Sequence, residues 1–305
     1  MPELPEVETV RRTLLEGGLA GRTIRGVQVL HPDAVRHPDQ GAFVRELVGQ
    51  EITDVARRGK YLLIGVARGR VLVAHLRMTG RLWLGPREAP ALSHTHVAFD
   101  LDDGRQLRFR DVRRFGGFHL LQGPDDPAAP AGLRALGPEP WDLTARAFAA
   151  ACVRHRELAV KGLLLDQQVI AGLGNIYADE ALHRARVHPR RACGSLTPKE
   201  RLRIVRAVRQ VLDDALANRG TTFLDFRDGT GEPGAFQEFL RVYRREGLPC
   251  RSCGAPIAKT RVAGRGTHYC PQCQKGDEPR CSTAPSPTTT RSRPARTSSA
   301  SRDAR

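Results

Sequence analysis

The sequence is short of acid. Its 305 residues hold 33 Asp and Glu against 49 Lys and Arg, a formal net charge of +16. Asp277 to Arg305 contributes six arginines against three acids, so about +13 stays on the rest of the chain. A surplus of that size suits a polyanionic partner, most commonly nucleic acid, although an Arg-rich soluble protein of any kind would also show it. No stretch approaches the roughly 18 consecutive apolar residues of a membrane span, which argues against a membrane protein. The start, Met1-Pro2-Glu3-Leu4-Pro5, is acidic and has no apolar core, which argues against a secretory leader. No internal repeat is visible. Only seven cysteines are present, and they are not spaced as a disulfide framework: four form two CxxC pairs, while Cys152, Cys193 and Cys281 stand apart. This usage fits a reducing cytoplasm and one metal site.

The hydrophobic pattern predicts an α+β chain of more than one domain. Residues 5–17 read as a helix, with Pro5 in its first turn, Glu6 and Glu8 at its positive end and Gly17-Gly18 as its stop. From Thr23 to about Gln122 the pattern is that of strands, among them Thr23–Leu30, Tyr61–Val66, Val71–Leu76, His96–Leu101 and Gln106–Arg110, with Asp102-Asp103-Gly104 as a hairpin turn. Helical patterns occupy Thr144 to about Arg219. Thr197-Pro198 opens the longest helix, with Leu202, Val205, Val208, Val211, Leu212 and Leu216 as its apolar stripe. Thr221–Gly234 is a polar loop suited to ordering over a ligand, and a short helix at Phe236–Arg241 follows. The expected division is 1–122, a connection at 123–143, a helical unit at 144–241, a cysteine module at 242–276 and a disordered basic tail at 277–305.

Cys250-x-x-Cys253 and Cys270-x-x-Cys273 enclose sixteen residues, a four-thiolate pattern for one structural Zn2+. With four protein ligands no coordination position is left for chemistry. Lys259, Arg261, Arg265 and His268 around the module suggest a phosphate-facing surface. At the other end, removal of Met1 would expose the secondary amine of Pro2. An α-amino group titrates near pH 8, so part of it is nucleophilic at neutral pH, and attack on a sugar C1′ gives an iminium that eases later elimination. Glu3 beside it is placed to exchange protons; an ordinary Pro-Glu helix entry explains the same residues.

Met1-Pro2-Glu3-Leu4-Pro5-Glu6-Val7-Glu8-Thr9 resembles the start of the formamidopyrimidine-DNA glycosylases. Further matching pieces follow in the family's order: Arg58-Gly59-Lys60-Tyr61-Leu62, His75-Leu76-Arg77-Met78-Thr79-Gly80, Asp111-Val112-Arg113-Arg114-Phe115-Gly116, and Gly172-Leu173-Gly174-Asn175-Ile176-Tyr177-Ala178. The cysteine hairpin closes the set, and the resemblance covers about residues 1–275. It implies a multi-domain α+β fold: an N-terminal β-sandwich with an N-terminal helix, then a helix–two-turn–helix domain with a zinc β-hairpin. It also implies a monomeric cytoplasmic repair enzyme whose partner is double-stranded DNA containing oxidised purines or abasic sites. Such an enzyme excises the base and then nicks the strand by β,δ-elimination.

By the same resemblance Pro2 is the Schiff-base nucleophile, Glu3 the general acid, and Lys60 a phosphate contact and proton donor in β-elimination. Arg265 is the family's proton donor for δ-elimination; a guanidinium is a poor acid, so phosphate clamping suits it better. Glu6 joins the catalytic group, though a carboxylate at a helix start explains it nearly as well. Met78, Arg113 and Phe115 match the residues that enter the duplex when the lesion leaves the stack, where apolar wedges and a donor for the orphan cytosine are needed. Asn175 with its glycine-rich turn is expected to meet phosphate at a helix N-terminus, with His75, His94, Arg114 and Arg156 as further DNA contacts and Lys161 linked to the lesion site. Val112 stands where many members have proline. An endonuclease VIII-like pyrimidine glycosylase and a non-catalytic DNA-binding protein share the scaffold. Pro2, Glu3 and Lys60 argue against the second, since binding alone needs none of them. A zinc-ribbon accessory protein would explain the charge and cysteines but not the N-terminus.

Overall fold

The computed structural model describes residues 2–90, 92–123, 125–223 and 226–275. The expected tail, 277–305, lies outside the described residues. Helix α1 (Leu4–Glu16) precedes nine strands: β1 (Ile24–Val29), β2 (Val35–His37), β3 (Ile52–Arg58), β4 (Tyr61–Val66), β5 (Arg70–His75), β6 (Gly80–Pro86), β7 (Thr95–Leu101), β8 (Arg105–Asp111) and β9 (Gly117–Leu121). They form two sheets, ordered β1-β7-β8-β6 and β2-β9-β5-β4-β3, antiparallel except for the short β2–β9 pair. The inner faces meet in a core where Phe43, Phe99, Phe109 and Phe118 contact one another. β7 and β8 are joined across the expected turn, Asp100 facing Gln106.

One helix inside this region escaped the strand reading. α2 (Gln40–Leu47) is opened by Asp39, whose carboxylate accepts the Ala42 N–H at 3.0 Å, and Phe43 and Leu47, one turn apart, are its buried residues. Eight residues give too short a periodic stretch to outweigh flanking strand patterns. The 123–143 connection likewise contains a short helix, α3 (Ala131–Arg134).

The second half packs α4 (Ala145–Arg154), α5 (Val160–Leu165), α6 (Asn175–Ala185) and α7 (Pro198–Ala217) around a separate apolar core. α7 starts with a reciprocal capping box between Thr197 and Glu200, which satisfies two otherwise orphaned donors. Its buried face runs through Ile204, Val205, Ala207, Val208, Val211, Leu212 and Ala215. Leu202, expected in that stripe, lies off its edge and is exposed. Cys152 and Cys193, far apart in sequence, are both fully buried in this core. The described residues of the 221–234 loop are irregular, and the helix expected at Phe236–Arg241 is a 3-10 turn, Phe236–Phe239. β10 (Ala258–Val262) and β11 (Arg265–Tyr269) then form the cysteine module's hairpin. α1 packs on both β3 and α7, so the N-terminus sits at the seam between the halves.

Candidate active site and nucleic-acid interface

That seam encloses a cavity of about 760 Å3, whose walls include Pro2, Glu3, Lys60, Met78, Arg113 and Arg265. The two halves are sewn together at the start of α1. The Leu4 N–H donates to Gly172 O at 3.0 Å, and Glu3 Oε1 accepts the Ile176 N–H, in the first turn of α6, at 2.9 Å. Gly174 makes this approach possible: a Cβ there would lie 2.5 Å from Glu3 Oε1. Glu3 is buried, its Oε2 has no hydrogen-bond partner, and its carboxyl is pushed up to about 7. Burial is the main cause, opposed by the Lys60 ammonium and the Ile176 N–H and assisted by the neighbouring Glu6. A carboxyl in this state holds a proton at neutral pH and can still release it.

Glu6 is buried with every contact directed inward. Oε2 accepts the Glu3 N–H at 2.7 Å, closing the α1 capping box, and Oε1 accepts from Thr221 N at 2.7 Å and from the Tyr177 hydroxyl. Burial raises its carboxyl, against these three donors. Glu6 thus joins α1, α6 and the start of the 221–234 loop. Lys60 enters from the β3–β4 turn, and its Nζ donates to Leu173 O at 2.9 Å. Burial lowers its pKa, aided by the Arg265 guanidinium and opposed by Glu3 and Glu6, which brings the ammonium nearer to proton transfer. Arg265 is exposed at the start of β11 on the same cavity.

Above the cavity, the β5–β6 and β8–β9 turns present three side chains together. Met78 and Phe115 are 41% and 50% exposed, well above what core residues of their kind show. Arg113 lies with its guanidinium 4.7 Å from the Phe115 ring centroid and its Nη1 3.0 Å from Met78 Sδ. Asp111, fully buried, staples both turns: it accepts from the Thr79 hydroxyl, from Gly116 N at 2.7 Å and from Arg113 N at 3.2 Å. Asp111 belongs to the Asp111–Gly116 motif, but its residue type alone does not disclose this part. Arg114 and His94, both with positive φ, are exposed on nearby turns, and Val112 is also exposed. Arg156 is exposed, with Glu157 3.7 Å away.

Several expectations change. Lys161 is fully buried: its Nζ pairs with Asp179 at 2.7 Å and donates to Thr267 Oγ1 at 2.7 Å and Gly266 O at 3.1 Å. A side chain so enclosed has no route to DNA, and it holds the strand that carries Arg265. His75 accepts the Arg77 N–H through Nδ1 and meets Tyr61 edge-on; burial, with Arg77 and Lys60 nearby, holds its pKa down at about 3, so it is neutral rather than a cation for phosphate. Asn175 donates to Gly266 O at 3.0 Å and so ties α6 to the hairpin, leaving its Oδ1 buried and unpartnered. Two acids within α6 escaped notice altogether. Asp179 accepts the His268 N–H at 2.9 Å, and Glu180 accepts three successive N–H groups, from Arg241, Val242 and Tyr243, at 2.8–2.9 Å. Nothing local marks them, because the N–H groups they accept lie some 60 to 90 residues away and Lys161, the ion-pair partner of Asp179, lies 18 residues before it.

The four sulfurs of Cys250, Cys253, Cys270 and Cys273 lie within 4.8 Å of one another, and N–H groups of Ser252 and Cys273 point at Cys250 Sγ and Cys270 Sγ. This donor set fits one tetrahedral Zn2+ and leaves no open position.

Three family models match in order: the formamidopyrimidine-DNA glycosylase N-terminal domain over residues 1–118, its H2TH domain over 136–226, and the zinc finger found in FPG and IleRS over 247–276. The formamidopyrimidine-DNA glycosylase of Pelotomaculum thermopropionicum is 52% identical over 277 residues, 90% of this chain and 99% of that protein. The Lactococcus lactis Fpg in complex with an abasic site containing DNA aligns with a TM-score of 0.83 at 36% identity, covering 90% of this chain and all of that one. The MutM (FPG) protein of Thermus thermophilus aligns with a TM-score of 0.80 at 44% identity, covering 90% of this chain and 98% of that one. The fold, the seam geometry and these matches agree: the chain belongs to the formamidopyrimidine-DNA glycosylase family.

Proposed function

We propose that this protein is a DNA glycosylase and AP lyase of base excision repair, which removes oxidised purines such as 8-oxoguanine and formamidopyrimidines from duplex DNA and then nicks the strand. The observation that carries this is the Glu3 carboxyl, buried and held near 7, beside Pro2 and Lys60 in one cavity at the seam. With Met1 removed, the Pro2 nitrogen attacks the sugar C1′ and the glycosidic bond breaks as the base departs; Glu3 delivers its proton to the ring oxygen O4′, the C1′–O4′ bond opens, and C1′ becomes an iminium with the Pro2 nitrogen. Removal of a C2′ proton passes the electrons of that C–H bond into the iminium, and the resulting enamine expels the 3′ phosphate; removal of the C4′ proton then expels the 5′ phosphate. Lys60 supplies a proton in the first of these steps, and Arg265 clamps phosphate. Met78, Arg113 and Phe115 fill the gap left by the everted nucleotide, Arg113 facing the opposite base. The zinc module is structural: it presents Arg265 and takes no part in bond making. No helix among the described residues is long and apolar enough to cross a membrane, and the relatives are bacterial; we place the protein, as a monomer, with the DNA in the cytoplasm.

The test is a duplex carrying 8-oxoguanine opposite cytosine, incubated with borohydride. A reduced covalent adduct mapping to Pro2 is the expected result. An adduct formed only on a duplex carrying an oxidised pyrimidine would move the substrate class. An active preparation whose intact mass shows Met1 fully retained would remove the Schiff-base step, because an amide nitrogen has no free lone pair.

A further inference from the structure

Lys60 reaches the cavity from a turn, and what fixes that turn lies outside the sandwich. Glu139, in the connection between the halves, accepts the Gly59 N–H at 2.7 Å and Arg58 Nη1 at 2.9 Å through Oε1; its Oε2 lies 2.8 Å from Arg57 Nη1. Gly59 is left-handed, with φ +55°, so this turn is not one the chain would hold unaided with most residues. The same connection is bonded to the helical half, Gly137 N to Gln167 O at 2.8 Å and Ala171 N to Pro138 O at 2.9 Å. Gln167 Nε2 donates at 2.8 Å to Leu173 O, the carbonyl that also receives Lys60 Nζ. A closed circuit therefore runs from Glu139 through Gly59, Lys60, Leu173 and Gln167 back to the connection.

Docking of the connection does not by itself call for the Glu139 carboxylate. Arg58 already donates to Leu136 O and Gly137 O at 3.2 and 2.5 Å. What only Glu139 does is capture the N–H of the residue before Lys60. We propose that Glu139 is a positioning residue for Lys60, holding the Gly59 peptide so that the Lys60 ammonium stays against Leu173 O in the lesion cavity. This rests on the part given to Lys60 in strand cleavage above.

The test uses the full-length zinc-loaded protein and a duplex with a preformed abasic site, and compares Glu139→Gln, Glu139→Asp and Lys60→Met with the parent. Gln keeps an oxygen for the Gly59 N–H but loses the charge facing Arg57 and Arg58; Asp keeps the charge but withdraws the oxygen by one methylene. Glu139→Gln is expected to retain most of the single-turnover cleavage rate and the parent pH profile. Glu139→Asp is expected to cleave about 10- to 100-fold more slowly, as misplacement by around 1 Å does elsewhere, with little change in Kd. Its pH profile should shift, because Lys60 moves among the groups that face it: Glu3 just ahead of α1, Glu6 on α1, Arg265 on β11 and His75 at the end of β5. The reverse order, Asp fast and Gln slow, would show a charge-pairing role and overturn the proposal, as would two parent-like variants beside an impaired Lys60→Met. A parent-like Lys60→Met would instead remove the role of Lys60 itself.

Discussion

Replacing Glu3 with Gln should make the protein more stable and nearly inactive. The neutral amide keeps the shape of the side chain and its oxygen for the Ile176 N–H, but it cannot exchange a proton. Burial raises the folded-state pKa from 4.5 to about 7, so the stability tied to the protonated carboxyl is complete below about 4.5 and is lost as pH rises through 7. The gap, at about 1.4 kcal/mol per unit, corresponds to about 3 kcal/mol for holding Glu3 ionised. That gap already includes the attraction of the Lys60 ammonium, so the gain from Gln at alkaline pH is about 3 kcal/mol at most. Calorimetry should therefore find Glu3→Gln melting close to the parent at pH 5 and up to about 6–12 °C higher at pH 8. Excision of 8-oxoguanine should fall by about 10²-fold or more, while duplex binding and cutting of a preformed abasic site persist. In the parent, excision should decline as pH rises past 7, since the proton that Glu3 delivers is then absent. A parent-level excision rate in Glu3→Gln, or a melting point at pH 8 below the parent's, would refute the reasoning.

Lys161→Met should destabilise the protein by about 3–5 kcal/mol, because it leaves Asp179 charged and buried. It should weaken DNA binding without flattening the dependence of log K on log salt; a slope smaller by about one unit would show that Lys161 contacts phosphate after all. Cys253→Ser should lose zinc and DNA affinity while the sandwich stays folded, since its phenylalanine core is independent of the metal; normal affinity in a zinc-free protein by elemental analysis would contradict this. Gly174→Ala should cut excision by about 10²-fold by displacing Glu3, with zinc content unchanged; a parent-like rate would mean that the seam is looser than its distances indicate.

Local chemistry was readable without coordinates. The zinc ligands declare themselves because a CxxC pair is a short-range object, and α1 and α7 carry their start signals within a few residues, Pro5 and Glu6 in one, Thr197 to Glu200 in the other. The N-terminal motif, with its Pro2 and Glu3, was equally plain as a resemblance. Helix α2 was not, because its two buried residues occupy only one face for two turns.

Protonation states and buried charge pairs belong to the tertiary structure. The motif around Glu3 does not give its protonation state; what sets that is Gly174, 171 residues on, which lets the first turn of α6 close against the carboxyl and bury it. The resemblance links Lys161 to the lesion site, but a match of residues does not show enclosure, and enclosure depends on Asp179 and on a hairpin over 100 residues away. Glu139 and Glu180 follow the same rule: each acid stabilises backbone N–H groups that only the folded chain brings to it, while Asp111 adds the hydroxyl of Thr79, 32 residues away, to N–H groups of its own turn. Sequence alone therefore supplied the candidate reactive groups, by resemblance, and the metal ligands, which depend on residue type and short spacing. Only the fold decided which of those groups hold a proton, which meet solvent and which serve as struts, because desolvation and hydrogen bonding are set by neighbours distant along the chain.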